Sequence, residues 1–237
     1  MKKMIKINRD DKILIVAPHP DDESIGMGGF LSLYGPQCDV LLVTDGRKGH
    51  KGTVEDIDEF ILKRKQEVKS ASEIANVHDL FFLNIEDRTT LKNKSKVKNF
   101  DISKYTYIFI PNRNETHIDH CVLYSIFKRK LTGKQKLLEY EVWTPMSKTN
   151  MYLDISDVVE KKKEMISQHK SQLVDCDYVN RALALNYYRG MYYHCEYAEV
   201  YNQCDFSWIG FLKYRVPILW KARIKQILEK LRPFNVF

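Results

Sequence analysis

The stretch KILIVAPHPDDESIGMGG, residues 12–29, joins a buried-strand pattern, a polar turn and the start of a helix. Residues 12–17 form a near-continuous apolar run, as expected for a parallel strand that is covered on both faces. Pro18 and Pro20 exclude helix and restrict the backbone around His19, so the polar turn is stiff. This order of strand, turn and helix predicts the first unit of an α/β fold.

Four further apolar runs have the composition of strands, namely residues 39–44, 80–83, 105–110 and 139–143. Helical patterns alternate with them at residues 24–34, 55–75, 117–131 and 158–171, while residues 92–98 have the composition of a solvated basic loop. The alternation predicts a Rossmann-like three-layer α/β sandwich with a mainly parallel sheet. In such folds ligands bind outside the carboxyl ends of the strands.

The overall composition is that of a globular protein. The 237 residues are 44% apolar and 29% charged, enough to bury one sizeable core. The five cysteines include no CxxC pair and are odd in number, which favours a reducing cytoplasm over a disulfide framework. No signal-peptide pattern is present, and no run reaches the ~18 apolar residues of a membrane span. We therefore predict one cytoplasmic domain over residues 1–203.

Residues 204–237 form a basic aromatic C-terminal extension in this interpretation. Its segment 210–232 carries seven basic residues and one acidic residue, so the net charge of +7 is concentrated outside the domain. For that reason we do not predict nucleic-acid binding. From Pro217 the pattern favours a basic amphipathic helix. Such a helix can pack on its own domain, contact a second subunit of a homo-oligomer or make peripheral contact with the inner face of the membrane. The sequence does not choose among these three alternatives.

Histidine and carboxylate side chains follow the ends of two predicted strands. His19, Asp21 and Asp22 follow the first strand, and His117 and His120 follow the fourth. A catalytic zinc takes three protein ligands of this kind and leaves an open position for water. His19, Asp22 and His120 would complete that set, leaving Asp21 and His117 for proton transfer. Each motif alone is commonly a turn or a cap, but both at neighbouring strand ends predict a metal site.

Three residues around these motifs have predicted helix-terminal roles. Thr116 is the expected N-cap of the second helix, which would place His117 and His120 three residues apart on one face. Asp119 either orients His117 or acts as a first-turn carboxylate that favours the helix dipole, and both options stay open. Glu23, at the start of the first helix, is expected to be structural.

These motifs resemble those of the PIG-L (LmbE-like) family of zinc-dependent N-acetylglucosaminyl deacetylases. The family's (A/P)HPDDE box matches residues 18–23 and its HxDH box matches residues 117–120. The resemblance runs from about residue 13 to about residue 201, and its other matches are Thr44-Asp45-Gly46, Arg64 with Glu67 and Ala71, Trp143, Asp154-Ile155-Ser156, His169-Lys170-Ser171-Gln172 and Tyr197-Ala198-Glu199.

The resemblance implies an enzyme that removes an acetyl group from an N-acetylated amino sugar similar to GlcNAc, free, in a glycoconjugate or lipid-linked. It implies His19, Asp22 and His120 as metal ligands. It further implies Asp21 as general base, and His117 as the residue that stabilises or protonates the developing charge. The implied metal is Zn²⁺, although Fe²⁺ or another divalent metal suits the same ligands.

Substrate contacts are implied for Arg64 and Asp87. On its helical pattern alone, Arg64 would be a surface residue. Two departures from the family pattern concern the substrate side. Arg47 and Lys48 stand where an acidic residue is usual, and the family's aspartate-glycine turn is here Asp87-Arg88. The substrate is therefore open, and the alternatives are an amidase for another N-acyl compound, such as a thiol-sugar conjugate, or a non-catalytic sugar-binding module.

Overall fold

The computed structural model describes residues 3–50, 56–174 and 176–204. Its strands are β1 Lys3–Met4, β2 Ile13–Ala17, β3 Cys38–Thr44, β4 Asp79–Ile85, β5 Tyr107–Pro111, β6 Lys136–Tyr140, β7 Met151–Asp154 and β8 Ala198–Gln203. Its α-helices are α1 Asp22–Tyr34, α2 Ile57–Ile74, α3 Lys94–Asn99, α4 Ile118–Lys130, α5 Val159–Ser167 and α6 Tyr178–Gly190. None of these helices combines the length and the apolar character that crossing a membrane requires.

The predicted C-terminal extension lies outside the described residues, apart from its first residue, Cys204. The amphipathic helix from Pro217, its membrane or subunit contacts and the domain boundary at residue 203 therefore stay predictions.

All eight strands form one sheet, in the order β1-β7-β8-β6-β5-β2-β3-β4. The five strands from β6 to β4 in this order are mutually parallel, whereas β8 is antiparallel to β6 and β7. The prediction of a mainly parallel sheet is confirmed. Parallel neighbours need crossover connections, which the helices between the strands supply.

Helices cover both faces of the sheet and bury the central strand completely. Every residue of β2 is buried, and successive side chains point to opposite faces. Ile13 and Ile15 pack in one core with apolar residues of α1, α2, α5 and α6. Leu14 and Val16 pack in a second core with residues of α3 and α4. This is the predicted three-layer sandwich.

The carboxyl ends of four adjacent parallel strands lie at one edge of the sheet. In sheet order these are β5, β2, β3 and β4. The turn with His19 follows β2, Asp45 follows β3, Asp87 follows β4 and His117 follows β5. Chain segments that are distant in sequence are thereby brought to one place, as expected for this class of fold.

The predicted strand at residues 139–143 was wrong at its end. β6 stops at Tyr140, and the backbone N–H groups of Val142, Trp143 and Thr144 donate to the carboxylate of Glu115 at 3.1–3.3 Å instead of to a strand. The sequence also did not indicate β1, β7, β8 and α6, and α3 overlaps the stretch of residues 92–98 that was predicted as a loop.

Candidate metal site and active site

The turn after β2 holds Asp21 in an unusual backbone conformation, with φ 153° and ψ −26°. Residues with a side chain rarely adopt such a positive φ, so neighbouring contacts must maintain it. The backbone N–H of Asp21 donates to Glu23 Oε2 at 3.1 Å, and Glu23 Oε1 lies 3.1 Å from Nε2 of the buried His169. Burial lowers the pKa of His169, but Glu23 shifts it upwards overall. Glu23 thus stabilises the turn through its hydrogen bond to Asp21, and His169 holds Glu23 in place.

Three predicted ligand atoms form a tight triangle. His19 Nδ1, Asp22 Oδ2 and His120 Nε2 lie 3.1 Å from one another. Asp22 and His120 are fully buried, and His19 is half-buried at the floor of the pocket. A ring nitrogen of His117 lies within 4.8 Å of nitrogens of His19 and His120, so it offers a third nitrogen near the same point.

The surroundings of this triangle fit a cation. Asp22 Oδ1 and His120 Nδ1 are buried and have no hydrogen-bond partner among the described residues, which is unusual for buried polar atoms. Burial alone would lower the pKa of His19, but Asp119 and Asp22 raise it to about 10. Burial opposes ionisation of Asp22, yet His120 and His19 lower its pKa strongly. The site therefore favours positive charge, and its two imidazoles and one carboxylate are a zinc ligand set.

Asp119 lies near the expected His117 and closer to a second histidine, His19. Its Oδ2 lies 3.4 Å from His19 Nε2 and 3.7 Å from His117 Nδ1. The same carboxylate accepts the backbone N–H groups of Arg88 at 2.6 Å and Thr90 at 3.2 Å. A carboxylate on the second nitrogen of a ligand histidine fixes its tautomer and ring orientation. Asp119 therefore orients His19, an option that the sequence analysis did not consider.

His117 itself occupies the N-cap position of α4, so the prediction of Thr116 as the cap was wrong. Its backbone is extended, with φ −81° and ψ 131°, and its Nδ1 accepts the N–H of Asp119 at 3.3 Å. Burial and the nearby His19 and His120 lower its pKa. With Nδ1 acting as an acceptor, the neutral ring carries its proton on Nε2.

Arg64 is a buried bridge between two strand ends, with 2% of its surface exposed, so its interpretation as a surface residue was wrong. Its Nη2 lies 3.0 Å from Asp21 Oδ2 and also donates to the carbonyl of Pro20. Its Nη1 donates to the carbonyl of Gly46 at 3.0 Å. Burial raises the pKa of Asp21 and Arg64 lowers it, with a net value of about 6.

Asp87 is buried and holds the loop that follows β3. Its two carboxylate oxygens accept the backbone N–H groups of Gly46 at 3.0 Å and Lys48 at 2.7 Å. Arg64 and Asp87 both line the pocket, yet these contacts already engage Nη1 and Nη2 of Arg64 and both carboxylate oxygens of Asp87. Their assignment as substrate contacts stays a prediction.

The pocket above these groups has a volume of about 170 Å³. Besides the predicted residues, its lining includes two aromatic rings that sequence reasoning did not assign to the site. The rings of Trp143 and Tyr178 lie 4.9 Å apart, and Trp143 is 41% exposed. The other lining residues that we had not assigned are Lys48, Gly49, Arg88 and Gln172. A site with half-exposed aromatic rings and converging polar groups has the makeup of a small-ligand pocket.

Comparison with protein families finds a match for the part of the chain that carries both motifs. Residues 14–130 match the model of the PIG-L family, which is described as GlcNAc-PI de-N-acetylase. This range extends from β2 to the end of α4.

Several of the individual proteins with similar sequences or structures are deacetylases by name. Diacetylchitobiose deacetylase of Thermococcus kodakarensis is 28% identical, over 68% of this chain and 70% of that protein. The probable N-acetyl-alpha-D-glucosaminyl L-malate deacetylase 2 of Bacillus subtilis is 21% identical, over 68% of this chain and 83% of that protein. The solved structure of N,N'-diacetylchitobiose deacetylase from Pyrococcus horikoshii has a TM-score of 0.69 at 21% identity, covering 88% of this chain and 87% of that one. This likeness confirms the α/β fold.

Proposed function

We propose that this protein, whose residues 14–130 match the model of the PIG-L family, is a metal-dependent hydrolase that removes the acetyl group from an N-acetylated amino sugar. The observation that carries the proposal is the 3.1 Å triangle of ligand atoms with Asp21 beside it. The named relatives support the sugar as the substrate class.

His19, Asp22 and His120 would hold one divalent ion, for which we propose zinc. When bound, such an ion polarises the amide carbonyl of the substrate and increases the acidity of a water molecule. Asp119 keeps the His19 ring in place for this role. His117, with its Nδ1 engaged by the backbone, is not counted among the ligands.

Asp21 is the proposed general base. It is the carboxylate of the turn that is not in the ligand triangle, and it lines the pocket. Its ion pair with Arg64 favours the ionised form, which is the form that accepts a proton from the attacking water. The protonated Asp21 can then give this proton to the leaving amine, so that acetate and the free amino sugar are released.

His117 is the proposed donor to the oxyanion that develops on the amide oxygen. Its lowered pKa keeps the ring neutral, and the proton on Nε2 is available for a hydrogen bond in the pocket. A donor of this type typically contributes about 3 to 4 kcal/mol to transition-state stabilisation.

The test is release of acetate from a panel of N-acetyl sugars by the zinc-loaded protein. The panel comprises free N-acetylglucosamine, diacetylchitobiose and nucleotide-linked and lipid-linked N-acetylglucosamine. The control variant is His120→Ala, which we expect to lose both bound metal and acetate release. The proposal requires catalytic turnover with at least one sugar. If no sugar yields acetate, an amidase for another class of N-acyl compound becomes the better account.

A further inference from the structure

Arg88 lies at the edge of the pocket with an exposed side chain. It follows β4 directly after Asp87 and lines the pocket together with His117 and Lys48. Within residues 3–50, 56–174 and 176–204, no acidic side chain lies within ion-pair distance of its guanidinium. The guanidinium of Arg88 therefore lies at the pocket and forms no ion pair with the described part of the chain.

The backbone of Arg88 fixes this side chain beside the site. Its φ is 67°, in the left-handed region that glycine adopts more easily than any residue with a side chain. Its N–H donates to Asp119 Oδ2 at 2.6 Å, and that same oxygen lies 3.4 Å from His19. The backbone of Arg88 is thus joined by one hydrogen bond to Asp119, the carboxylate that contacts His19.

The other cations that line the pocket are already engaged. Lys48 Nζ lies 2.8 Å from Glu86 Oε1 and donates to the carbonyl of Asp87 at 3.1 Å. Arg64 is buried and paired with Asp21. Of the lysine and arginine side chains lining the pocket in the described ranges, Arg88 is the one available to a ligand.

We propose that Arg88 determines specificity by binding an acidic group on the N-acetyl amino sugar. The planar guanidinium carries parallel N–H donors that match the paired oxygens of a phosphate or a carboxylate. The inference rests on the proposed function and narrows its substrate class from N-acetyl sugars in general to those that bear an anion. Trp143 and Tyr178 provide apolar surface for the sugar in the same pocket.

The experiment compares kcat/KM for three substrates with the zinc-loaded protein. Methyl N-acetylglucosaminide is the neutral reference, N-acetylglucosamine 1-phosphate carries a phosphate, and N-acetylmuramic acid carries a carboxylate. We expect at least one acidic sugar to exceed the neutral one by roughly tenfold, as one charge-assisted contact allows. In Arg88→Gly this preference should disappear, so that the ratio of kcat/KM between the acidic and the neutral sugar falls to about one.

Two further variants separate charge from backbone effects. Arg88→Lys keeps the charge without the planar fork and should retain only part of the preference. Arg9→Gly removes an exposed arginine outside the pocket and should leave the preference unchanged. Hydrolysis without preference, or a preference that Arg88→Gly does not alter, would reject this inference and leave the proposed function intact. Absence of acetate from every sugar would instead reject the proposed function, and the inference with it.

Discussion

At the scale of single residues, the account depends on how Asp21 differs from its neighbour Asp22. The two carboxylates are adjacent in sequence, yet the positive φ of Asp21 separates their surroundings. Asp22 lies between two imidazoles, whereas Asp21 pairs with Arg64. One carboxylate is therefore suited to hold a cation and the other to exchange a proton.

Replacing Asp21 by asparagine tests this division directly. The amide is nearly isosteric but cannot accept a proton, so we expect turnover to fall by about 10²- to 10⁴-fold. Metal content, measured by elemental analysis, should match that of the wild type because the ligand triangle is intact. Thermal unfolding serves as the control for lost pairing with Arg64. Hydrolysis at a near-wild-type rate would show that Asp21 is not the base.

Most of the predicted site residues could be named from local sequence because they stand in two short motifs. What local sequence could not predict is contact between motifs. Asp119 was compared only with its neighbour His117, although its carboxylate lies closer to His19, a hundred residues earlier. The helical pattern alone would place Arg64 on the surface, because local sequence does not show that its acceptors, the carbonyls of Pro20 and Gly46, come from other strand ends.

At the scale of elements, α1 packs close to the sheet through glycines. A Cβ added at Gly26 would lie 2.6 Å from the carbonyl oxygen of Glu141 and from the ring of Tyr140. Tyr140 donates its hydroxyl to the carbonyl of Val16 in β2 at 2.9 Å, so its ring has little freedom to move. The helix that begins in the turn after β2 thus packs tightly against the central strands.

We therefore predict that Gly26→Ala destabilises the fold by about 1 to 3 kcal/mol, the usual range for overpacking. Gly28→Ala is the matched comparison, because its added methyl would meet the side chain of Lys162 at 2.9 Å instead of a backbone carbonyl. Urea unfolding should show the larger loss for Gly26→Ala. Wild-type stability in this variant would mean that α1 is packed less tightly than described here.

The predicted bounds of an element agree with the observed ones where its residues are continuously buried. They differ where tertiary hydrogen bonds replace the hydrogen bonds of the predicted strand. β2 and α1 were predicted to within two residues. β6 ended early because Glu115 captures the backbone of residues 142–144. β8 escaped prediction because it contains the charged Glu199, and a strand that buries a carboxylate has no apolar signature.

At the scale of the whole molecule, the buried ion pair of Lys162 and Glu199 connects three elements, α5, β8 and α1. Lys162 Nζ in α5 lies 2.7 Å from Glu199 Oε1 in β8, and both side chains are almost fully buried. Glu199 also accepts the backbone N–H groups of Gly29 and Phe30 in α1 at 2.8 and 2.9 Å. Removing either charge leaves the other one buried in the core without its ion-pair partner.

Glu199→Gln or Lys162→Met alone should destabilise the protein by about 3 to 5 kcal/mol, since each leaves one buried charge unpaired. The double variant should lose less than the sum of the two single losses. Urea unfolding of all four proteins gives the coupling energy. Additive losses would show that the two side chains do not act as a pair.

A second ion pair predicts how stability depends on pH. Burial would raise the pKa of Glu139, but bidentate contact with Arg113 lowers it overall. The folded carboxylate thus binds its proton more weakly than the unfolded one. The pair stabilises the fold above the unfolded pKa of ~4.3, and this contribution is lost as the pH falls.

Glu139→Gln should therefore reduce the free energy of unfolding at pH 7 by about 1 to 3 kcal/mol, and by less at pH 4. The matched control is Glu160→Gln, because Glu160 is 81% exposed and its pair with Lys163 is solvated. Chemical unfolding at both pH values provides the measurement. A loss for Glu139→Gln that is the same at both pH values would contradict the assigned pair.

The fold class could be predicted because alternating strands and helices leave few topologies, although β7, β8 and α6 were not indicated. The substrate could not, because the pocket also draws on side chains such as Tyr178 and Arg88, which belong to neither motif.

The most direct test of the central claim is acetate release from an N-acetyl sugar by protein stripped of metal with a chelator and then titrated with zinc. The account predicts that the stripped protein is inactive and that activity returns linearly, reaching its maximum at one zinc ion per chain. Full activity in the stripped protein would contradict it.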